Sequence, residues 1–499
     1  MEEELLVLNT LVYVKGVFVN VDDKTEKSVY SIISKIDEDK IEYSPNILSP
    51  EQWEDVKKTV LDNPDIYDNL TIRNVETKYE ARSVTITDDK NNMYVIYQGT
   101  GDGHEWNDNG VGAHANVTGT VVQNEALDYF DRMVETYGEG KNIYVSGHSK
   151  GGNKAQYVGV LRGSEIEHVY SFDGQGFSRA FVNRYQDEID IYSDKITNIC
   201  NEFDYINVLL NPIAGETRYV SSNTDLGDLV NDFLGSVLKQ HSPITMFSYD
   251  EDGNLDGLGD ETSQNEFLCA LGDMFRYYER YMDEEDWEYL CHLIMHQLEG
   301  DTCYSLDSSH EYNFDFDDMP DGFIENLASL TAGYLNTVEL DDNIIKLITD
   351  AFIKKLLGNN IFSNIFSTAL VSLVQSGIST VAEVYNSRVR DFSDNCRQEL
   401  LNLVKETEEE KWWDITKWEV WYKLEDILGG LGFPEDNNSL NEYYRKLIDI
   451  NNESAESINK IFEEVKRIEG EYNDSLQSIS DELNDLLVAF QEIENSIRV

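Results

Sequence analysis

A chain of 499 residues is longer than one hydrophobic core normally serves, so two or more domains are expected, and 40% hydrophobic with 11% aromatic residues supplies the material for them. The 39 Lys and Arg stand against 96 Asp and Glu, leaving a net charge of -57, a field that repels nucleic acid and anionic bilayers while still allowing local insertion of an apolar surface. The five cysteines, Cys200, Cys269, Cys291, Cys303 and Cys396, have no CxxC spacing and point to neither a disulfide scaffold nor a zinc knuckle.

The chain begins MEEELLVLNT, acidic where a signal peptide needs a basic start, so the general secretory route is not indicated. Residues 1 to about 75 mix short helical patterns with polar turns, including the helix start SPEQWEDVKKTV at 49–60. From about residue 80 the texture changes. SVTIT (83–87) and MYVIYQ (93–98) flank the turn DDKNN and predict a hairpin or adjacent strands. A helix over 125–137, a buried strand NIYVSG (142–147), a helix over 153–160, a strand HVYSFD (168–173), a helix near 178–185 and a strand KITNIC (195–200) follow. Strands and helices alternating at this spacing predict a mostly parallel sheet covered on both faces.

Past residue 250 the strand signals nearly vanish. An acidic connector (248–266) leads into helical text, a second acidic loop lies near 305–322, and apolar helices run from about 340 to 404. The segment 359–381 is interrupted throughout by Ser, Thr, Asn, Gln and Gly and reads as a buried helix before a membrane-active one. A tryptophan-rich helix or pair (411–428) stops at Gly429-Gly430. Apolar residues from Ile458 to Ile497 recur at spacings of three and four, the seam of a long amphipathic helix that needs an apolar partner. The expected organisation is an α/β domain over 1–250 with an N-terminal helical extension, an acidic connector and helical insertion over 251–335, and a helical partner-binding region over 336–499.

The motif that decides the chemistry is Gly147-His148-Ser149-Lys150-Gly151, after a strand and before a helix. A sharp strand-to-helix turn exposes the central serine as a nucleophile, and the glycines beside it spare it steric conflict. A serine hydroxyl needs a base, and the base needs an acid to hold its tautomer. In folds built around such an elbow the acid and then the histidine follow the nucleophile. Of the eight histidines, His241 in VLKQHSPITMF is the base of choice. His148 lies in the elbow, His104 and His114 precede the serine, His168 opens a strand, and His292, His296 and His310 lie beyond the acidic connector. Asp204 in EFDYINVLL is the preferred acid, Asp173 its competitor and Asp194 a weaker one. The backbone N–H of Lys150 and the backbone or hydroxyl of Thr100, in the strand-end loop YQGTGDGHEW, are the expected oxyanion donors.

Two metal patterns are weak. Asp250, Asp252, Asn254, Asp256 and Glu261 alternate as oxygen ligands would, but Leu255 stands where a calcium loop turns on glycine, so a solvated linker is the better reading and calcium the alternative. His292 and His296 lack the adjacent glutamate of HExxH, which argues against a zinc protease.

The segments YQGTGDGHEWNDN, GHSKGGNKAQY, FDGQGF (172–177) and QHSP (240–243) together resemble the class 3 lipase group of α/β-hydrolases, and within it the bacterial Mbeg1-like branch. The resemblance spans about 80–250. It implies Ser149 as nucleophile, Asp204 and His241 as its acid and base, and Thr100 as an oxyanion donor. Two departures stand out: the proline usual in the acid loop is absent, and Lys150 replaces the leucine common in lipases. The layout also resembles reverse-arranged lipase toxins of Gram-positive bacteria, with the hydrolase first and an LXG-like helical targeting region last. That resemblance implies type VII secretion, small helical secretion partners on the C-terminal region and a countering immunity lipoprotein. The expected function is hydrolysis of a carboxylic ester in a phospholipid or acylglycerol without a cofactor. The alternatives are an esterase or thioesterase on small substrates and a non-enzymatic adaptor or secretion protein working through its C-terminal helices.

Overall fold

The helix Glu2–Leu11 (α1) sets three glutamates against the positive end of its dipole and then buries nearly everything behind them. Leu5, Leu6, Leu8 and Leu11 are each at most 1% exposed. A helix apolar around most of its circumference must be covered on several sides. The N-terminal segment, expected as an extension, is therefore part of the core.

The computed structural model describes residues 1–18, 27–42, 47–114, 118–225, 239–299 and 318–337, with Ile344, Ile348 and Ile353. These fall in one compact unit, Met1–Phe366; the second unit, Ser367–Val499, lies outside the described residues. The segment 359–381, the tryptophan-rich segment and the long periodic helix expected near the C-terminus also lie outside them.

Short elements follow α1: strands Lys15–Phe18 (β1) and Lys27–Ser28 (β2), then helices Val29–Ile33 (α2), Pro50–Asp62 (α3) and Pro64–Tyr67 (α4). The start of α3 is a capping box between Ser49 and Gln52 with Pro50 at the first turn, as its sequence predicts. Strands Thr71–Lys78 (β3), Ala81–Thr87 (β4) and Asn92–Tyr97 (β5) form an antiparallel meander in which Ser83 faces Tyr97. The alternating part comes next, with helices Gly103–His114 (α5) and Val121–Tyr137 (α6), strand Asn142–His148 (β6), helix Lys150–Arg162 (α7) and strand His168–Phe172 (β7). Helices Arg179–Arg184 (α8) and Gln186–Tyr192 (α9) and strands Ile196–Asn201 (β8) and Glu216–Val220 (β9) complete it.

The sheet does not stop at residue 250. Phe247–Tyr249 (β10) and Leu255–Leu258 (β11) pair as a hairpin, and Glu261–Thr262 (β12) adds an edge strand to β9. The boundary expected at 250 falls in the turn of that hairpin. These strands are two to four residues long and carry no alternating apolar pattern, so they give no sequence signal. Asp250 ties the turn, accepting from the backbone N–H groups of Asp252 (2.9 Å) and Asn254 (2.8 Å). Helices Glu266–Tyr281 (α10), Glu284–Glu299 (α11) and Phe323–Thr337 (α12) follow.

Among the described residues the main sheet runs β12-β9-β8-β7-β6-β5-β4-β3-β2, parallel from β5 to β9 and antiparallel at its edges. This is the mostly parallel, helix-flanked α/β-hydrolase architecture the sequence predicts. Alternation along β5 divides two cores: Met93, Val95 and Tyr97 pack with α6 and α7, whereas Tyr94 and Ile96 pack with α1 and α3. The carboxyl ends of β5, β6, β7 and β8 thus open together on one edge, where α/β sheets place their sites.

Candidate active site

Strand β6 ends at His148 and α7 begins at Lys150, leaving Ser149 alone to make the turn, with φ 62° and ψ -128°. A non-glycine residue in this region is strained and persists only where its surroundings hold it. Ser149 N donates to the Phe172 carbonyl (2.9 Å), and its own carbonyl accepts from Asn153 N (3.1 Å). A β-carbon on Gly147 would lie 2.0 Å from the Gly151 carbonyl oxygen, so strand and helix close on each other only with glycine there.

Ser149 Oγ lies 2.7 Å from His241 Nε2, and His241 Nδ1 lies 2.5 Å from Asp204 Oδ2. A proton on Nδ1 satisfies the carboxylate and leaves Nε2 to accept from the serine. Asp204 is wholly buried, and its Oδ1 accepts from the backbone N–H of Ile206 and of Asn207 (3.4 Å). The His241 ring packs between His148 (centroids 4.9 Å apart) and Tyr205 (6.5 Å), which limits its rotation. Asp194 sits in the turn before β8, at the opposite end of the strand from Asp204, and so cannot join this group.

Asp173 is near but does a different job. It is fully buried, and its Oδ1 accepts from Asn201 N (2.7 Å) and Asn207 Nδ2 (3.0 Å), while no N–H or hydroxyl donor faces Oδ2. Burial, and then the Asp204 charge beside it, push the Asp173 carboxyl well above the usual carboxylate range. Asp173 backs the acid; His241 bonds Asp204.

Thr100 follows Gly99 in the strand-end loop, and Lys150 follows Ser149 at the start of α7. A β-carbon on Gly99 would lie 3.1 Å from Ser149 Cβ, which measures how closely the strand-end loop approaches. The first residue of a helix has no intrahelical partner for its N–H, so Lys150 N is available as a donor. The Lys150 side chain points elsewhere. Its ammonium is buried 2.8 Å from Asp108 Oδ2, on α5. Lys154, one turn on, pairs with Glu105 on the same helix. Two buried ion pairs thus fasten α7 to α5.

Sequence reasoning missed Tyr13. Its hydroxyl lies 2.8 Å from His148 Nδ1 and accepts from Gly99 N (3.0 Å), joining the elbow to the loop that carries Thr100. Nothing local in a segment read as an extension marks a residue whose partners lie 86 and 135 positions away.

Next to Thr100, Asn109 on α5 donates to its Oγ1 (3.1 Å) and accepts from Gln175 Nε2 (3.2 Å). Asn109 and Gln175 are the polar wall of a small pocket whose other walls include Leu209, Leu210, Phe275, Trp287 and Met295. Helices α10 and α11 supply part of this apolar surface.

Among solved structures, the chain is similar to the Lip2 lipase of Yarrowia lipolytica, with 15% identity over 30% of this chain and 66% of that one and a TM-score of 0.24. It is likewise similar to the Rhizomucor miehei lipase in complex with its propeptide (17%; 37% and 70%; TM-score 0.25). A triacylglycerol lipase of Penicillium expansum is a third (12%; 31% and 71%; TM-score 0.24). The chain spans about two thirds of the length of the first of these, 66%. No curated protein matches it. The family model that matches is described as Mbeg1-like; it covers residues 64–231, taking in Thr100, Ser149, Asp173 and Asp204 and ending before His241.

Proposed function

We propose that this protein is a serine hydrolase of carboxylic esters in lipids, with Ser149 as nucleophile, His241 as general base and Asp204 as the acid that orients it. One observation carries the reading: the hydrogen-bonded line from Ser149 Oγ through His241 to a buried Asp204, at 2.7 and 2.5 Å. Ser149 Oγ attacks the acyl carbonyl as His241 Nε2 takes its proton, forming a tetrahedral intermediate. The backbone N–H of Lys150 and donors of Thr100 stabilise its oxyanion. Collapse transfers the proton from His241 to the departing alcohol, leaving an acyl-serine. Water, activated by His241, then releases the fatty acid and restores Ser149.

The apolar surface of Leu209, Leu210, Phe275, Trp287 and Met295 next to Asn109 suits contact with a hydrocarbon chain, which supports a phospholipase A or acylglycerol lipase as the finer reading. A role as a type VII-secreted antibacterial or virulence toxin, with helical secretion partners on 336–499 and an immunity lipoprotein, rests on the resemblance in layout. The enzymatic reading is tested by fatty-acid release from phospholipid, triacylglycerol and short-chain esters by wild type, Ser149→Ala and His241→Ala. Loss in both variants, with folding preserved, supports it. Activity on short esters alone makes the protein an esterase, and no activity on any substrate overturns the proposal.

A further inference from the structure

We propose a zinc site, separate from the serine site, formed by His114, Glu288 and His292. Its ligands come from two helices: His114 closes α5, and Glu288 and His292 stand four residues apart on one face of α11, which packs along α5. One ligand atom from each residue falls within 4.8 Å of the others.

The distances discriminate between ligand sets. His114 Nε2 and His292 Nε2 are 3.1 Å apart. Two nitrogens bound to one tetrahedral zinc at about 2.05 Å would be roughly 3.3 Å apart, so the imidazoles need almost no movement. Glu288 Oε1 lies 4.0 Å from His114 Nε2, on a half-exposed side chain that closes the remaining gap by turning about its own bonds. Two imidazoles and a carboxylate are a donor set suited to zinc, with a fourth position for water on the exposed Glu288 side.

The site is built rather than incidental. His292 is fully buried, and its ring fits against α5 because residue 110 is glycine; a β-carbon there would lie 2.6 Å from the imidazole. His296, the residue paired with His292 in the sequence, is not part of the group; the glutamate lies one turn before His292 instead of beside a histidine, as in HExxH.

Zinc here would staple α11 to α5. Because Asn109 of α5 holds Thr100, the metal would stiffen the helix that supports one flank of the serine site. Zinc binding itself does not depend on the hydrolase reading.

The test uses the full-length protein stripped by chelator, then titrated with Zn²⁺ against a chelating dye and with Co²⁺ by visible absorption. The expected result is one zinc per chain with micromolar or tighter affinity, a tetrahedral Co²⁺ spectrum and a zinc-dependent rise in melting temperature. His114→Ala and Glu288→Gln, at less buried positions than His292, should each weaken binding at least tenfold while keeping the wild-type circular dichroism. His241→Ala should bind zinc as the wild type does. No saturable binding by the wild type, equal binding by the first two variants, or loss confined to His241→Ala would overturn the proposal and leave His114 and His292 as a hydrogen-bonded pair.

Discussion

Asp173 and Asp204 meet inside the protein with neither side chain reaching solvent. Burial and the Asp204 charge hold the Asp173 carboxyl well above its usual range. A folded-state value raised above about 3.9 means that the native protein binds a proton the unfolded chain has released, so this contribution to stability is lost as pH rises above about 4. Asp173→Asn keeps an acceptor for Asn201 N without the titration. Urea unfolding between pH 4 and 8 should show a shallower decline in this variant than in the wild type. Asp173→Ala, which strands Asn201 N, should cost about 1–3 kcal/mol throughout. Equal pH slopes for wild type and Asp173→Asn would refute a raised Asp173 carboxyl.

Asp204→Asn tests the orientation of the base. The amide cannot accept from His241 as the carboxylate does and favours the wrong tautomer. A loss of about 10⁴ in kcat is expected, with KM changed far less. Stopped-flow hydrolysis of a chromogenic ester reads both; a drop under tenfold would return the acid's role to Asp173.

Tyr13→Phe removes a hydroxyl that serves His148 Nδ1 and Gly99 N at once. Both are buried groups that water does not replace. The expected cost is about 1–3 kcal/mol in chemical denaturation. A several-fold fall in kcat should accompany it, because Gly99 precedes Thr100. Unchanged stability would mean that these groups find other partners.

His148 makes the protein acid-sensitive. Burial drives its pKa well below the ordinary value, so at low pH the unfolded chain takes up a proton that the native state refuses. Its contribution is present above about pH 6.5 and is lost as pH falls below it, at up to about 1.4 kcal/mol per pH unit. His148→Gln, which can still accept from Tyr13, should flatten the acid limb of the stability profile. The comparison of melting temperatures from pH 7 to pH 5 reads this directly.

Lys150→Met separates the two roles of that residue. Losing the ammonium leaves Asp108 buried without its cation, a change that costs about 3–5 kcal/mol when nothing replaces it. The backbone N–H proposed for the oxyanion is untouched. At a temperature where the variant is folded, kcat should stay within about tenfold of wild type. A loss of 10³ or more in folded protein would make the side chain itself part of the chemistry.

Local sequence determined a large part of this protein. The strand-turn-helix around Gly147-Ser149-Gly151, the parallel succession of β6, β7 and β8 and the capping of α3 all follow from residues within a few positions of each other, and short-range patterns are what a sequence displays. Chain order then narrowed the histidines to His241 and favoured Asp204, which the fold brings onto Ser149. Tertiary structure alone decided the rest. Asp173 and Asp204 both follow strand ends, and only the packing of β7 against β8 makes one back the other. The N-terminal helix looks like an appendage until its leucines are seen covering the sheet. Tyr13 reaches His148, and His114 reaches His292, across 135 and 178 positions. Such contacts are set by how layers close on a common core, a property of the assembled sheet and helices that no window of sequence contains.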